Sequence, residues 1–575
     1  MNFMDYSVKI GGEAGQGVQT IGDTLTKVFS RAGYHVFSHQ DYESRVRGGH
    51  NFYQIRLADL PVSASRKGID LIVAFDETSI TRHECELTDG GVLLYDPASH
   101  KGLLDKPHFL AVPFLDIALQ NGGSRVMANT AAIGAVMGIL GLPIERLFGV
   151  LEVTLAGKDE KTLEVNRKVA TAGHQYAGSH CTRCAFSLGS SSGAKMLIDG
   201  NEAVGFGAVA SGCKFYAAYP MTPSTGIMVS VAQKAREYGI VVEQAEDEIS
   251  AINMALGASF GGVRAMTGSS GGGFALMVEG LSLSGMTETP LVVALAQRPG
   301  PATGFPTRTE QGELLFALHA GHGEFARVVF APGSPEQAFY LTNKAFELSQ
   351  KYQLPALILT DQYFADSQWT YEGFDLERIT YNDRRLKGQD LAGPSIYKRH
   401  ALTENGVSPF GVPGDTERLI VTDSDEHTEE GHITEDAAVR VAMVRKRLFQ
   451  KLSALKKEIA APLLYGRTDA EVVLVGWGSM YGILKEVVDV MIDHTSIAML
   501  HFSELYPFPD RAAFDYMALL NKARITICVE QNGSSQFSRL VRAETGYEFT
   551  DHVNRCDGRP FMLEELRGEI DARLR

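Results

Sequence analysis

The chain has 575 residues, 44% hydrophobic and 21% charged, with 59 glycines; this is the composition of a globular protein of two to four domains, not of a disordered chain. A formal net charge of −15 excludes a nucleic-acid backbone or an anionic membrane as the main partner, because both require a basic face. No apolar run reaches the roughly 18 residues of a membrane span, and the N-terminus lacks a signal-peptide pattern, so a cytoplasmic, reduced protein is expected.

Residues 1–185 read as a first α/β domain. "YSVKIGGEAGQGVQTIGDTLTKVFSRAGYHVFSH" gives strand, glycine-rich turn, helix and strand, and "IDLIVAFDE" and "GGVLLYDP" give further buried strands. This alternation predicts a doubly wound parallel sheet. In "GGEAGQGVQT", Gly15, Gln16 and Gly17 offer backbone N–H groups at a positive helix start, where an anion or a tight turn fits equally well. The spacing is not G-x-G-x-x-G and no Walker lysine follows. "DYESRVRGGHNFYQIRL" sets Arg45 and Arg47 beside paired glycines, a solvated turn or an anion contact. Cys181 and Cys184 form a CxxC, half of a four-ligand metal set, so two reduced thiols and no metal site are expected. The other four cysteines are scattered.

Residues 195–370 read as a second α/β domain. In "AAYPMTPSTG", Pro220 and Pro223 bracket Thr222 on a stiff turn that neither a helix nor a central strand can cross. In "EQAEDEISAINMALGASF", Glu243, Glu246, Asp247 and Glu248 precede a helix of small residues. Ile249, Ile252 and Ala255 extend an apolar face beside Glu248, which places that carboxyl at the buried edge; such a group can hold or donate a proton near neutral pH. "MTGSSGGGFALMVEGLSLSG" brings Ser269, Ser270 and Gly271 to a strand-to-helix turn where backbone can approach a flat ligand. In "ALAQRPGPATGFPTRTEQGEL", Arg298 ends a strand and Thr303 and Thr307 follow on a proline–glycine loop. An arginine there points into the crevice of an α/β sheet, and its planar fork suits a carboxylate.

Residues 371–460 are polar and irregular, a long connection or excursion that closes on the charged helix "AAVRVAMVRKRLFQKLSALKKEI". Residues 461–575 begin "EVVLVGWGSMYGILKEVVDVMI" and read as a third, smaller α/β domain.

"YPMTPST", "EDEISAINMALGAS", "MTGSSGGGFALM" and "AQRPGPATGFPTRTEQGEL", in this order, resemble the α subunit of 2-oxoacid:ferredoxin oxidoreductases. Residues 1–185 resemble that family's γ module, 195–370 its pyrimidine-binding domain and 461–575 its transketolase-C-like domain. The γ-α order and the "PGPATGFPT" loop are most similar to 2-oxoglutarate enzymes. The resemblance implies thiamine diphosphate chemistry. A 2-oxoacid is decarboxylated, coenzyme A takes the acyl group, and electrons leave through iron–sulfur clusters to ferredoxin. It implies that Thr222 and Arg298 hold the substrate carboxylate, that Glu248 faces the aminopyrimidine N1′, that Ser269, Ser270 and Gly271 adjoin the cofactor, and that Thr303 and Thr307 line the pocket. The chain has no G-D-G and no set of four cysteines, so Mg²⁺ and the [4Fe-4S] cluster are expected on a β subunit, in an (αβ)₂ assembly. Gly15, Gln16, Gly17, Arg45 and Arg47 are candidates for coenzyme A phosphates, and Arg45 for the far carboxylate of 2-oxoglutarate.

Overall fold

The computed structural model describes residues 4–45, 48–99, 106–189, 193–388, 390–391, 396–415 and 418–575. The chain divides into two compact units. The first holds residues 1–198, 367–373 and 561–571; the second holds 199–366, 374–560 and 572–575.

The first unit is built on an eight-stranded sheet. Asp5–Ala14 lies near its middle, parallel to Ile69–Ala74 on one side and antiparallel to Gly48–Ala58 on the other. Leu87–Tyr95 and Phe109–Ala111 extend the parallel side. His35–Asp41 pairs antiparallel with Gly48–Ala58, and Gln368–Tyr371 pairs antiparallel with it in turn. The sheet is therefore mixed, which corrects the expectation of a parallel one. The physical reason is the segment "RGGHNFYQIRLA". Its positive-φ glycines, Gly48 (φ 73°) and Gly49 (φ 77°), let the chain double back, and the residues after them form a second long buried strand rather than a charged turn. Ala128–Leu140 and Glu160–His180 pack on each other. Their closeness requires small residues: a Cβ on Gly134 would stand 2.1 Å from the Ala170 carbonyl oxygen, and one on Gly173 would stand 2.2 Å from that of Ala131. Cys181 and Cys184 are joined in a disulfide, not left as reduced thiols. The turn that ends Glu160–His180 brings their Cα atoms to 5.5 Å, within bridging range.

The second unit contains two sheets. Five strands of the larger follow one another in parallel register: Pro355–Asp361, Leu291–Gln297, Ala265–Ser269, Phe215–Ala218 and Val241–Gln244. Val328–Phe330 adds a sixth parallel strand, and Glu504–Tyr506 pairs antiparallel at the edge. The central strands Leu291–Gln297 and Pro355–Asp361 are buried along their whole length, as parallel strands covered on both faces are, whereas the edge strand Val241–Gln244 is largely exposed. The smaller sheet runs Leu463–Gly466, Ile497–Phe502, Val472–Trp477, Ile525–Glu530 and Asp551–Asn554, all parallel except the first. One apolar core joins both sheets, from Ile252 and Phe274 to Trp477, Phe502 and Phe537.

The described residues between 379 and 436 form no helix or named strand, and regular structure returns at a helix that is α over Ala437–Val444, π over Arg445–Gln450 and α again over Lys451–Lys456. Its cations face a buried carboxylate. Lys446 Nζ lies 2.5 Å from Glu288 Oε1, Lys451 pairs with Glu288 Oε2, and His400 Nδ1 lies 3.1 Å from Oε1. Glu288, His400 and Lys446 are fully buried and Lys451 nearly so. Burial pushes the Glu288 carboxyl up, but Lys446 and Lys451 outweigh it and hold the group well below the usual carboxylate range. Glu288, His400 and His427 have metal-ligand chemistry. Two ammonium groups already neutralise that carboxylate, so the cluster is an ion-pair network.

Candidate functional site

In the larger sheet of the second unit the chain passes from Phe215–Ala218 outward to Val241–Gln244, then returns to Ala265–Ser269 on the opposite side. Such a reversal opens a crevice beyond the carboxyl ends of the strands, the preferred ligand site of α/β sheets. Three neighbouring strands end there, and each delivers residues singled out from the sequence.

Phe215–Ala218 leads into the turn that carries Thr222. Ser224 Oγ donates to the Met221 carbonyl at 2.8 Å, and Asn201 Nδ2 donates to the Pro223 carbonyl at 3.1 Å, so the turn is fixed on both sides. Leu291–Gln297 ends at Arg298, whose Nη1 donates to the Thr222 carbonyl at 2.8 Å. Burial lowers the Arg298 pKa from its ordinary value, and Glu313 opposes the shift.

Glu248 opens the helix Glu248–Phe260 and is 3% exposed. Asp247 caps this helix by accepting from the Ser250 N–H at 2.7 Å, which leaves Glu248 to turn inward. Glu243 and Glu246 are exposed. The apolar face that buries Glu248 is Ala251, Ile252, Ala255 and Leu256. Ile249, expected on that face, is 49% exposed, because one residue along a helix rotates the side chain about 100°.

Ala265–Ser269 lies between the other two strands. Ser269 Oγ donates to Glu248 Oε1 at 3.3 Å and lies 3.7 Å from Met221 Sδ, so it links Glu248 to the Thr222 turn. Ser270 is fully buried and its Oγ has no partner. The helix Gly271–Thr287 begins on glycines for a steric reason. A Cβ on Gly273 would stand 2.3 Å from Glu248 Oε1, and one on Gly271 would stand 1.7 Å from Glu313 Oε1. Thr307 is buried, whereas Thr303 is exposed on its loop.

Two models of the same family match the sequence. "Pyruvate flavodoxin/ferredoxin oxidoreductase, thiamine diP-bdg" covers residues 206–446, and "Pyruvate ferredoxin/flavodoxin oxidoreductase" covers 7–176. A 2-oxoacid:ferredoxin oxidoreductase subunit alpha from Sulfolobus sp is 31% identical over 625 aligned positions, spanning 98% of this chain and 96% of that protein. The chain belongs to the 2-oxoacid:ferredoxin oxidoreductases. Among these enzymes its type is the α subunit. A "2-oxoglutarate synthase subunit KorA" from Archaeoglobus fulgidus is 31% identical over 60% of this chain and 90% of its own length. A solved structure, a 2-oxoglutarate:ferredoxin oxidoreductase from Magnetococcus marinus with 2-oxoglutarate, coenzyme A and succinyl-CoA bound, superposes with a TM-score of 0.90. It is 29% identical, and the match covers 99% of this chain and all of that one.

In this oxidoreductase subunit, Glu313 is a residue that reading the sequence did not single out. Its Oε2 is buried without a partner, and burial first, then Glu310, push the carboxyl up to about 8 against the pull of Arg298. The available signal was an acid immediately before a short helix, at the end of the loop that follows Arg298.

The first unit carries the other candidates. A cavity of about 470 Å³ is lined by Gly15, Gly17, Gln40, Asp41, Glu43 and Arg45, with further residues around them. Gly17 (φ 80°) precedes the helix Val18–Arg31, and Gln16 Oε1 accepts from the Glu13 N–H at 2.8 Å, closing the turn on itself. Arg45 Nε lies 3.1 Å from Glu43 Oε2, so its charge is already met by a carboxylate. Arg47 lies outside the described residues. Among the described residues, no helix is long and apolar enough to cross a membrane.

Proposed function

We propose that this chain is the α-type subunit, with a γ-like module ahead of it, of a thiamine diphosphate-dependent 2-oxoglutarate:ferredoxin oxidoreductase. The reaction is oxidative decarboxylation of 2-oxoglutarate with coenzyme A to succinyl-CoA and carbon dioxide, reversible with reduced ferredoxin. The observation that carries this reading is the full-length likeness to the Magnetococcus enzyme, joined to the convergence of Thr222, Glu248 and Arg298 on one crevice.

The residues fit the cofactor. The buried Glu248 carboxyl and the unpartnered buried hydroxyl of Ser270 flank the start of Gly271–Thr287, where a Cβ on Gly272 would meet nothing closer than 3.9 Å, so the backbone there is open to a flat ring. Bound there, thiamine diphosphate supplies a nucleophilic carbon for the oxoacid carbonyl and stores the electrons left after decarboxylation. Glu248 holds a proton at the aminopyrimidine N1′. Ser269 keeps the Glu248 carboxyl oriented. Arg298 and Thr222 fix the C1 carboxylate, and the rigid turn means that little ordering remains to be done when substrate arrives. Thr303 and Thr307 line the substrate side.

The cofactor is shared with a β subunit, which also holds Mg²⁺ and a [4Fe-4S] cluster, and the assembly is (αβ)₂. The large apolar side chains left exposed near the crevice residues in sequence, Tyr219, Ile249, Leu276 and Phe305, support a covering chain there. Coenzyme A phosphates are assigned to Gly15, Gln16, Gly17, Arg45 and Arg47. The carboxylates of Glu13, Asp41 and Glu43 along the same cavity restrict the contact of the described residues to the backbone N–H groups and to Arg45 once its guanidinium leaves Glu43.

Co-production with the β chain, followed by a panel of 2-oxoacids with a viologen acceptor, tests the reading. The highest kcat/KM is expected with 2-oxoglutarate. A preference for pyruvate, which both family names carry, would reassign the substrate. Absence of turnover with every oxoacid would reject the function, and oxoacid-dependent dye reduction by this chain alone would reject the shared site.

A further inference from the structure

Glu313 closes the loop that starts at Arg298 and leads into the helix Leu314–His319. Its backbone N–H donates to Gln297 Oε1 at 3.0 Å, which ties it to the strand end that carries Arg298. Its carboxyl presses on the bare face of Gly271, so that even a methyl group there would overlap Oε1. Oε2 is cut off from solvent and has no hydrogen-bond partner. A buried carboxylate with an unpaired oxygen is costly, and the group relieves that cost by keeping its proton. Arg298, for its part, gives one N–H to the Thr222 carbonyl, and Glu313 is the carboxyl that acts on its charge.

We propose that Glu313 is a positioning residue whose protonation decides whether Arg298 is free to take the carboxylate of a 2-oxoacid. Neutral Glu313 leaves the guanidinium to the incoming anion. Ionised Glu313 competes for it. This inference rests on the role given to Arg298 above. The other groups facing Glu313 fit it. Glu310, on the same loop, disfavours ionisation, and Arg298 favours it. Gln297 and Gln536 are neutral, the latter donating to the Gly312 carbonyl at 2.6 Å. Glu248 lies beyond, over Gly273.

The test uses the enzyme assembled with its β subunit. KM and kcat for 2-oxoglutarate are measured from about pH 6.5 to about pH 9, together with the Kd of glutarate, an unreactive dicarboxylate whose binding is read without coenzyme A. A group titrating near 8 permits a rise of up to roughly tenfold in KM by about pH 9. The expected result is that KM and the glutarate Kd rise together, with kcat changing less. Glu313→Gln should flatten both curves, and Glu310→Gln should move the break to lower pH. Flat wild-type curves, or an unchanged break in Glu313→Gln, would overturn the proposal. If Glu313→Gln does not fold, an unmoved break in Glu310→Gln overturns it instead. Loss of oxoacid turnover would strike the proposed function, while glutarate binding would still decide the role of Glu313.

Discussion

Glu248 and Gly273 make a pair in which each explains the other. The carboxyl is 3% exposed and occupies the volume that a side chain at 273 would fill. Glu248→Gln keeps the shape and removes the proton exchange, so turnover should fall by about 10²–10⁴, the usual worth of a general acid–base group, while assembly with the β subunit is unchanged on a sizing column. A near-normal rate would transfer the role to Glu243 or Glu246, both of which are exposed. Gly273→Ala should act through geometry instead. Its methyl collides with Glu248 Oε1 and with Ser269 Oγ, which would stand 2.0 Å from it. Overpacking of this kind costs about 1–3 kcal/mol. A lowered melting temperature together with lost activity is expected, and wild-type values in both would show that the helix start can shift aside.

At the scale of elements, the excursion 371–460 is anchored by a buried charge network as well as by apolar side chains such as Phe410, Val412, Met443 and Leu455. Glu288 ends the helix Gly271–Thr287 in a left-handed conformation (φ 50°), a position that glycine would occupy at lower cost. A glutamate stands there because its carboxyl neutralises Lys446 and Lys451 on the incoming helix. Removing one member of a buried ion pair leaves an uncompensated charge and costs about 3–5 kcal/mol. Glu288→Gln should therefore lower the melting temperature markedly and speed amide exchange over 396–415 and 437–456. Exchange that accelerates uniformly along the chain would show that the network does not anchor this element in particular. The π turn Arg445–Gln450 belongs to the same device. The wider coil shifts the register of the helix, and Lys446 and Lys451 both reach Glu288 across it.

For the whole molecule, buried histidines add to the loss of stability in acid. Burial lowers His39 from 6.5 to about 3 and His501 from 6.5 to about 4. Between those values the unfolded chain binds protons that the folded chain refuses, so each group makes stability fall as pH drops below about 6.5 and adds no slope above it. Glu313 acts in the opposite sense: its carboxyl is raised from 4.5 to about 8, so it favours the fold more as pH falls through that window. His39 and His501 lie in different units and report on them separately. Replacing either by Gln should flatten the acid slope of unfolding free energy by about 1.4 kcal/mol per pH unit. Unchanged slopes would mean that the histidines are protonated in the fold.

The sequence alone determined the α/β class, the turns after strands that carry Thr222, Ser270 and Arg298, and the family. Each of these rests on local signals: apolar runs bounded by turns, prolines that stiffen Thr222, and the glycine run 271–273 between a strand and a helix. It did not determine pairing direction. The segment 48–58 has the same local propensity in a turn-flanked loop as in an antiparallel strand, and only its partners at 5–14 and 35–41 decide. Nor did it reveal Glu313, because a carboxyl before a short helix reads as an ordinary surface charge until the fold closes Gly271 and Arg298 around it. Burial, and the protonation that follows from it, is a property of what surrounds a residue, and in this chain the residues around Glu313 come from three different strand ends and loops.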